Sequence, residues 1–238
     1  MTLPFSSDSL LFQTGCYALW LAAVFGLAEL LRSRQVDGEL VRKIVHIGVG
    51  NIIVLAWVLG VPRSLGIAVS VAFSGVALLS YRVKLLQSLN GVDRQSFGTF
   101  FYALSIALAI AWFWLPGLKV CAVIGVLVMT WGDALAALVG QKWGRHSYEL
   151  AGIRKSWEGS LTMWGASTTA IALVLGLSQA AWACSPLSLT WIGAIAIGIG
   201  AIAAVLESLS WRGIDNITVP LAACWLSYGA LVSTGSLC

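Results

Sequence analysis

Charge is what this chain has least of. Of 238 residues, 10% are Asp, Glu, Lys or Arg while 59% are hydrophobic, and the mean hydropathy is +0.89. The longest polar stretch, Gln141 to Gly159, is too short to bury a core of its own, which excludes a separate soluble domain. The five cysteines, Cys16, Cys121, Cys184, Cys224 and Cys238, show no C-x-x-C or Cys/His spacing and mostly lie in apolar runs. They read as small packing residues and not as disulfides or metal ligands. No Lys or Arg precedes the first apolar run, so the basic region of a cleavable signal peptide is missing, as are the arginines of an organelle transit peptide. The first helix is therefore expected to be retained, in a bacterial or already mature chain. The P-loop, the protein-kinase signature, H-E-x-x-H and G-x-S-x-G are absent. No internal repeat stands out, which weighs against an inverted-repeat transporter.

What is there is a succession of apolar runs near the length a bilayer requires. About eight spanning helices are expected, at 10–31, 44–60, 65–81, 98–115, 118–140, 160–183, 189–206 and 217–234, giving an all-α polytopic membrane protein. The whole chain, 1–238, reads as one transmembrane domain with a basic loop at 141–159. Of the 14 basic residues, all but Arg63 and Lys119 fall in the first, third, fifth and seventh connections. By the positive-inside rule those connections face the cytoplasm. Seven of the 12 tryptophans, Trp57, Trp112, Trp114, Trp182, Trp191, Trp211 and Trp225, fall at or near span ends, as an interfacial belt requires. Glycines at helical spacing, Gly193/Gly200 and Gly132/Gly140, read as close helix packing.

Ionisable residues inside apolar segments cost a few kcal/mol each and need a reason. There are four: Glu29, His46, Asp133 and Glu207. All lie toward the expected cytoplasmic side and could line one cavity. Glu29 and Glu207 are near enough to span ends to be ordinary solvated carboxylates, and His46 could be a hydrogen-bonded packing residue. Asp133 is harder to dismiss, lying about 10 Å inside its helix end among small residues. Beyond it come Gly140 and Gly144, which let backbone approach closely, then Lys142, Arg145, Arg154 and Lys155, with Glu158 beside Lys155 and Ser156. Such a set suits a polyanion with a divalent metal, carboxylates holding Mg²⁺ and basic side chains neutralising phosphate oxygens. Topology alone would explain the basic residues, but not the aspartate. On the same side, Asp215-Asn216 precede a proline-containing helix start, a position that suits either a cap or another metal–phosphate carboxylate.

Four stretches together carry a resemblance: GELVRKIVHIGVGN (Gly38 to Asn51), SFGTFFY (Ser96 to Tyr102), GDALAALVGQKWG with RKSWEGS (Gly132 to Ser160), and ESLSWRGIDNITVP (Glu207 to Pro220). In this order they resemble the polyprenol kinase family, which includes phytol, dolichol and CTP-dependent diacylglycerol kinases and is related to phosphatidate cytidylyltransferases. The compact length and the R-K-x-x-H opening lie nearest its phytol kinase branch; the long N-terminal extension of dolichol kinases is missing. The resemblance implies phosphorylation of a membrane isoprenoid alcohol (phytol, geranylgeraniol or farnesol) by CTP with Mg²⁺. Its partners would be a lipid alcohol, a nucleoside triphosphate and the membrane, with no nucleic acid, in a bacterial membrane of cyanobacterial type.

Carried over by position, Arg42, Lys43 and His46 belong to the first motif, and Asp133 with Lys155, Ser156 and Glu158 to the nucleotide and metal site. Asp215 and Asn216 belong to the last motif. The expected metal ligands are Asp133, Glu158 and Asp215. Arg42, Lys43, Lys142, Arg145, Arg154, Lys155, Ser156, Gly140 and Gly144 are expected around the nucleotide, and Asp133 or His46 takes the hydroxyl proton. Glu207 and Asn216 are further candidates. Two other readings compete: a cytidylyltransferase acting on a lipid phosphate, and a proton- or cation-coupled transporter.

Overall fold

The computed structural model describes residues 10–83, 97–150, 152–182, 186–211 and 213–237. Lys84, Arg94, Ser96, Cys184, Arg212 and Cys238, which entered the sequence reading, lie outside the described residues. The described chain is helical apart from one hairpin. In order it forms α1 (Leu10–Ser33), α2 (Gly38–Gly50), α3 (Ile52–Val58), α4 (Arg63–Val83), α5 (Gly98–Phe113), α6 (Lys119–Trp143), β1 (Ser147–Leu150), β2 (Ile153–Ser156), α7 (Trp157–Trp182), α8 (Leu189–Ser208) and α9 (Asp215–Ser233).

Among the described residues, six helical segments are long and apolar enough to cross a membrane, α2 and α3 counting as one, and α4 and α5 contribute shorter apolar stretches. The protein is thus an all-α, multi-pass membrane protein. Leu11, Leu19, Val69, Leu177 and Leu189 are exposed on the bundle's outside, a surface matched to lipid tails.

The centre of the bundle is α6. Every residue from Val120 to Thr130 is buried, and the helix packs against α2, α5, α7 and α9. Close approach is achieved by omitting side chains. A Cβ on Gly125 would collide with Cys224 and the Pro220 carbonyl of α9, and one on Gly132 would lie 2.5 Å from Met163 Sδ and 2.8 Å from Ser167 Oγ of α7. Of the other glycine pair read as packing, Gly200 lies against Thr168 of α7, whereas Gly193 faces open space.

Helix ends differ from the expected spans for local reasons. The second span was expected from residue 44, but α2 begins at Gly38 because the Asp37 carboxylate accepts from the backbone N–H of Glu39 (3.0 Å) and Leu40 (3.1 Å). The turn before it is closed by Gln35 in the left-handed region (φ 56), with Val36 N–H donating to Leu31 O and Gln35 N–H to Arg32 O. Arg42 and Lys43, expected in a connection, therefore ride on a helix. The same segment breaks at Asn51, whose side-chain amide donates to the Ile47 carbonyl (2.9 Å).

The stretch 141–159 is also more ordered than a loop. The antiparallel β1–β2 hairpin pairs Ser147 with Ser156, Tyr148 with Lys155, Glu149 with Arg154 and Leu150 with Ile153. It turns at Gly152 (φ 77). Lys142 lies at the end of α6, and Arg154 and Lys155 lie on β2.

Candidate active site

Helix α2 has two working faces. Val41, Val45 and Gly48 pack on α1 against Val24 and Ala28. Lys43, His46 and Gly50, at spacings of three and four, meet α6 instead. Lys43 Nζ lies 2.5 Å from Asp133 Oδ2 and 3.3 Å from the Asp133 carbonyl. His46 Nε2 is 3.4 Å from the Met129 carbonyl and 3.8 Å from Asp133 Oδ2. Beyond it, the His46 ring is 4.4 Å from that of Tyr102 on α5, and the Tyr102 and Thr130 hydroxyls are 2.5 Å apart. Gly50 is required here, since any Cβ would run into those two hydroxyls. The buried Asp133 thus sits in a matched polar seam: the Lys43 side chain is 4% exposed and that of Asp133 18%. A buried charge is tolerable only when paired and hydrogen-bonded in this way.

A second pair lies between the hairpin and α8. Neighbouring side chains on a strand point to opposite faces. Arg154 accordingly turns outward, donating to Ser147 Oγ (3.2 Å), while Lys155 turns inward to the Glu207 carboxylate and to the Glu207 carbonyl, the latter at 2.5 Å. The ammonium therefore meets both the carboxylate and the negative C-terminal end of α8.

Asp215 opens α9. Its backbone N–H donates to Ser210 Oγ (2.8 Å), and its Oδ1 accepts from the backbone (3.1 Å) and side-chain (3.2 Å) amides of Asn216. Glu207 feels the charges of Asp133, Asp215 and Lys155, and Arg42 those of Asp133 and Asp215. The motifs of the first, fifth and seventh connections thus converge at one end of the bundle around three carboxylates, Asp133, Glu207 and Asp215. Two of these carry a lysine. Arg42 is held by Glu39 through contacts of 2.9 and 2.5 Å.

Several expected residues have other work. Glu29 is exposed on α1 and pairs with Arg32 at 2.8 Å, so it does not join His46, Asp133 and Glu207 in one cavity. Glu158 accepts from the His146 backbone N–H (3.2 Å) and contacts its ring Nδ1 (2.7 Å), clamping the base of the hairpin. Lys142 lies over the Trp143 ring at 4.9 Å, and Arg145 is exposed. Ser156 Oγ accepts from the Gly159 N–H (3.2 Å) at the start of α7. Gly140 and Gly144 admit close backbone approach, but what approaches is the protein itself. A Cβ on Gly144 would hit the Gly140 carbonyl and lie 2.7 Å from Ser156 Oγ. Glu39, Tyr102, Thr130 and Ser210 are not singled out by the sequence reading. For Glu39, Tyr102 and Ser210 the signal is present, since all three fall within the quoted motifs.

Among the described residues no three His, Cys, Asp or Glu side chains form a ready-made metal cage. The trio Asp133, Glu158 and Asp215 is therefore not a preassembled site. Mg²⁺, however, commonly takes one or two carboxylates and completes its shell with phosphate oxygens and water. Asp215 lies within the field of Asp133, and two such carboxylates are what that more modest demand requires.

A phytol kinase of Synechocystis sp. is 46% identical to this chain over 216 residues, covering 90% of the chain and 89% of the relative. The chain belongs to the phytol kinase family. Phytol kinase 1, chloroplastic, of Arabidopsis thaliana is 28% identical, covering 90% of the chain and 74% of the relative. A probable chloroplastic phytol kinase of Zea mays is 25% identical over 92% and 75%. No family model matches the chain, and no solved structure matches it.

Proposed function

We propose that this protein transfers the terminal phosphoryl group of a nucleoside triphosphate, CTP in our reading, to the hydroxyl of phytol. The new bond joins the alcohol oxygen to the γ-phosphorus, the bond from that phosphorus to the β-phosphate oxygen breaks, and the hydroxyl proton passes to a base on the protein. The observation that carries the reading is the meeting of Asp133, Lys43, Glu207, Lys155 and Asp215 at one end of an apolar bundle. The names borne by the similar proteins supply the acceptor.

Phosphoryl transfer needs alignment and neutralisation of charge more than covalent help. The alcohol lies in the bilayer with its hydroxyl at the polar end of the bundle, and the triphosphate arrives from the cytoplasmic side. Asp133 and Asp215 would hold Mg²⁺, which when bound neutralises charge on the triphosphate. Lys43 and Lys155 supply fixed positive charge beside them, with Arg145 and Arg154 outside. Asp133, or His46 next to it, receives the proton.

The test uses membranes containing the protein, phytol and Mg²⁺, with CTP labelled at the γ or the α position. Label reaching the lipid from the γ position alone is the expected result. Label from the α position would instead indicate cytidylyl transfer, and no label from either would remove the kinase reading.

A further inference from the structure

The hairpin is joined to the bundle by two kinds of contact. At its base, Glu158 and Ser156 tie it to the start of α7, which follows it directly in sequence. Lys155, by contrast, reaches 52 residues along the chain to Glu207, in the last turn of α8. Tyr148, opposite Lys155 in register, bonds Ser160 instead (2.6 Å). Among the described residues, Glu207 is thus the one outside the hairpin and α7 that bonds the Lys155 ammonium. Its own surroundings are acidic: Asp133 and Asp215 both act on it. Left alone, three carboxylates would repel one another and any phosphate.

We propose that Glu207 is a positioning residue for nucleotide binding: by holding Lys155 through carboxylate and carbonyl together, it keeps the inward face of β2 against the acidic cluster, where the lysine meets the triphosphate. The proposal rests on the phosphotransfer reading for its substrate. Glu207 itself does not touch the reacting atoms. Glu207→Gln keeps the size and the hydrogen-bonding carbonyl oxygen but removes the charge that holds the ammonium. Glu207→Asp keeps the charge on a shorter arm.

The experiment measures KM for the triphosphate, KM for phytol and kcat separately, together with binding of a non-hydrolysable CTP analogue to the purified protein. Loss of one charge-assisted bond predicts a rise of about tenfold or more in nucleotide KM and in the analogue's Kd for Glu207→Gln. The phytol KM should stay unchanged and kcat within about threefold. Glu207→Asp should recover part of the affinity. Lys155→Met should weaken binding similarly, and adding Glu207→Gln to it should cost nothing further, because each acts through the other. Glu149→Gln, on the exposed edge of the hairpin, is the control for general charge change.

Unchanged nucleotide affinity in Glu207→Gln, full additivity with Lys155→Met, or equal damage to the phytol KM would overturn the proposal. Should Glu207→Gln fail to fold, the Glu207→Asp and Lys155→Met variants carry the same comparison. The binding assay keeps the two readings apart: a wild-type protein that binds the analogue but does not phosphorylate phytol would refute the acceptor and leave the role of Glu207 to be judged on affinity alone.

Discussion

Two lysine–carboxylate pairs of the same chemistry close one end of this bundle, and they differ in what carries them. Lys43–Asp133 joins two membrane helices, α2 and α6, each fixed on its other faces by apolar packing. Lys155–Glu207 joins a four-residue strand to the final turn of a helix. The first pair cannot part without moving α2 against α6. The second can part by shifting a hairpin. One fold therefore supplies both a rigid reference, Asp133, and a basic strand whose place is set separately. For the phosphotransfer site proposed above, that division would let the Asp133 carboxylate stay fixed while the cationic side accommodates a charged substrate.

The sharpest way to break the comparison is to remove each lysine in turn. Lys43→Met leaves the Asp133 carboxylate without its buried partner and should cost about 3–5 kcal/mol of stability, read as a large fall in Tm in detergent. Lys155→Met should cost less, because the Lys155 side chain is 19% exposed against 4% for Lys43 and a shift of the hairpin can let water reach Glu207. If both lysines cost the same, the distinction between rigid and movable pairs fails. Asp133→Asn is next in size. Turnover should drop by roughly 10²–10³-fold, in line with loss of one preorganised charge in a reacting site. Adding Lys43→Met to it should recover stability relative to Lys43→Met alone while activity stays lost. That result would separate the structural and chemical roles of the seam.

A smaller effect is expected where the hairpin leaves α6. Gly144→Ala places a methyl group against the Gly140 carbonyl and Ser156 and should cost about 1–3 kcal/mol by overpacking. If the hairpin's seat matters for the nucleotide, this variant should also raise the nucleotide KM while sparing the phytol KM. An unchanged nucleotide KM would mean that Lys155–Glu207 alone holds the strand in place.

The difference between the two pairs also explains what could be read from the sequence. The apolar runs announce the helices, because the bilayer imposes both length and composition on them. Asp133 stands out for the same reason, as a charge where charge is costly. Its partner did not: Lys43 lies 90 positions away, and it was assigned to a connection because the Asp37 cap, which starts α2 early, is a local hydrogen bond that hydropathy does not register. The hairpin was missed because its strands are four residues long and its basic side chains dominate the pattern. Yet Ser147–Leu150 does alternate polar and apolar residues just before Gly152. Glu29 follows the other reading open to it, an ordinary solvated carboxylate: its neighbour Arg32, three residues on, is an adequate partner on an exposed helix face. Buried charges are legible one at a time, while their pairing depends on which helix faces meet.

The smallest test concerns the outer edge of the hairpin. The Tyr148 hydroxyl lies 2.6 Å from Ser160 Oγ, and its ring lies 5.2 Å from that of Trp157. Tyr148→Phe keeps the ring contact and deletes one neutral hydrogen bond, which should cost about 1 kcal/mol. Because Tyr148 faces Lys155 across the ladder yet is anchored to α7, loss of its hydroxyl loosens the hairpin on the α7 side only. Nucleotide affinity should then remain within about twofold of the wild type, a change worth less than 0.5 kcal/mol. A larger fall would mean that the α7 anchor shares with Glu207 in placing Lys155.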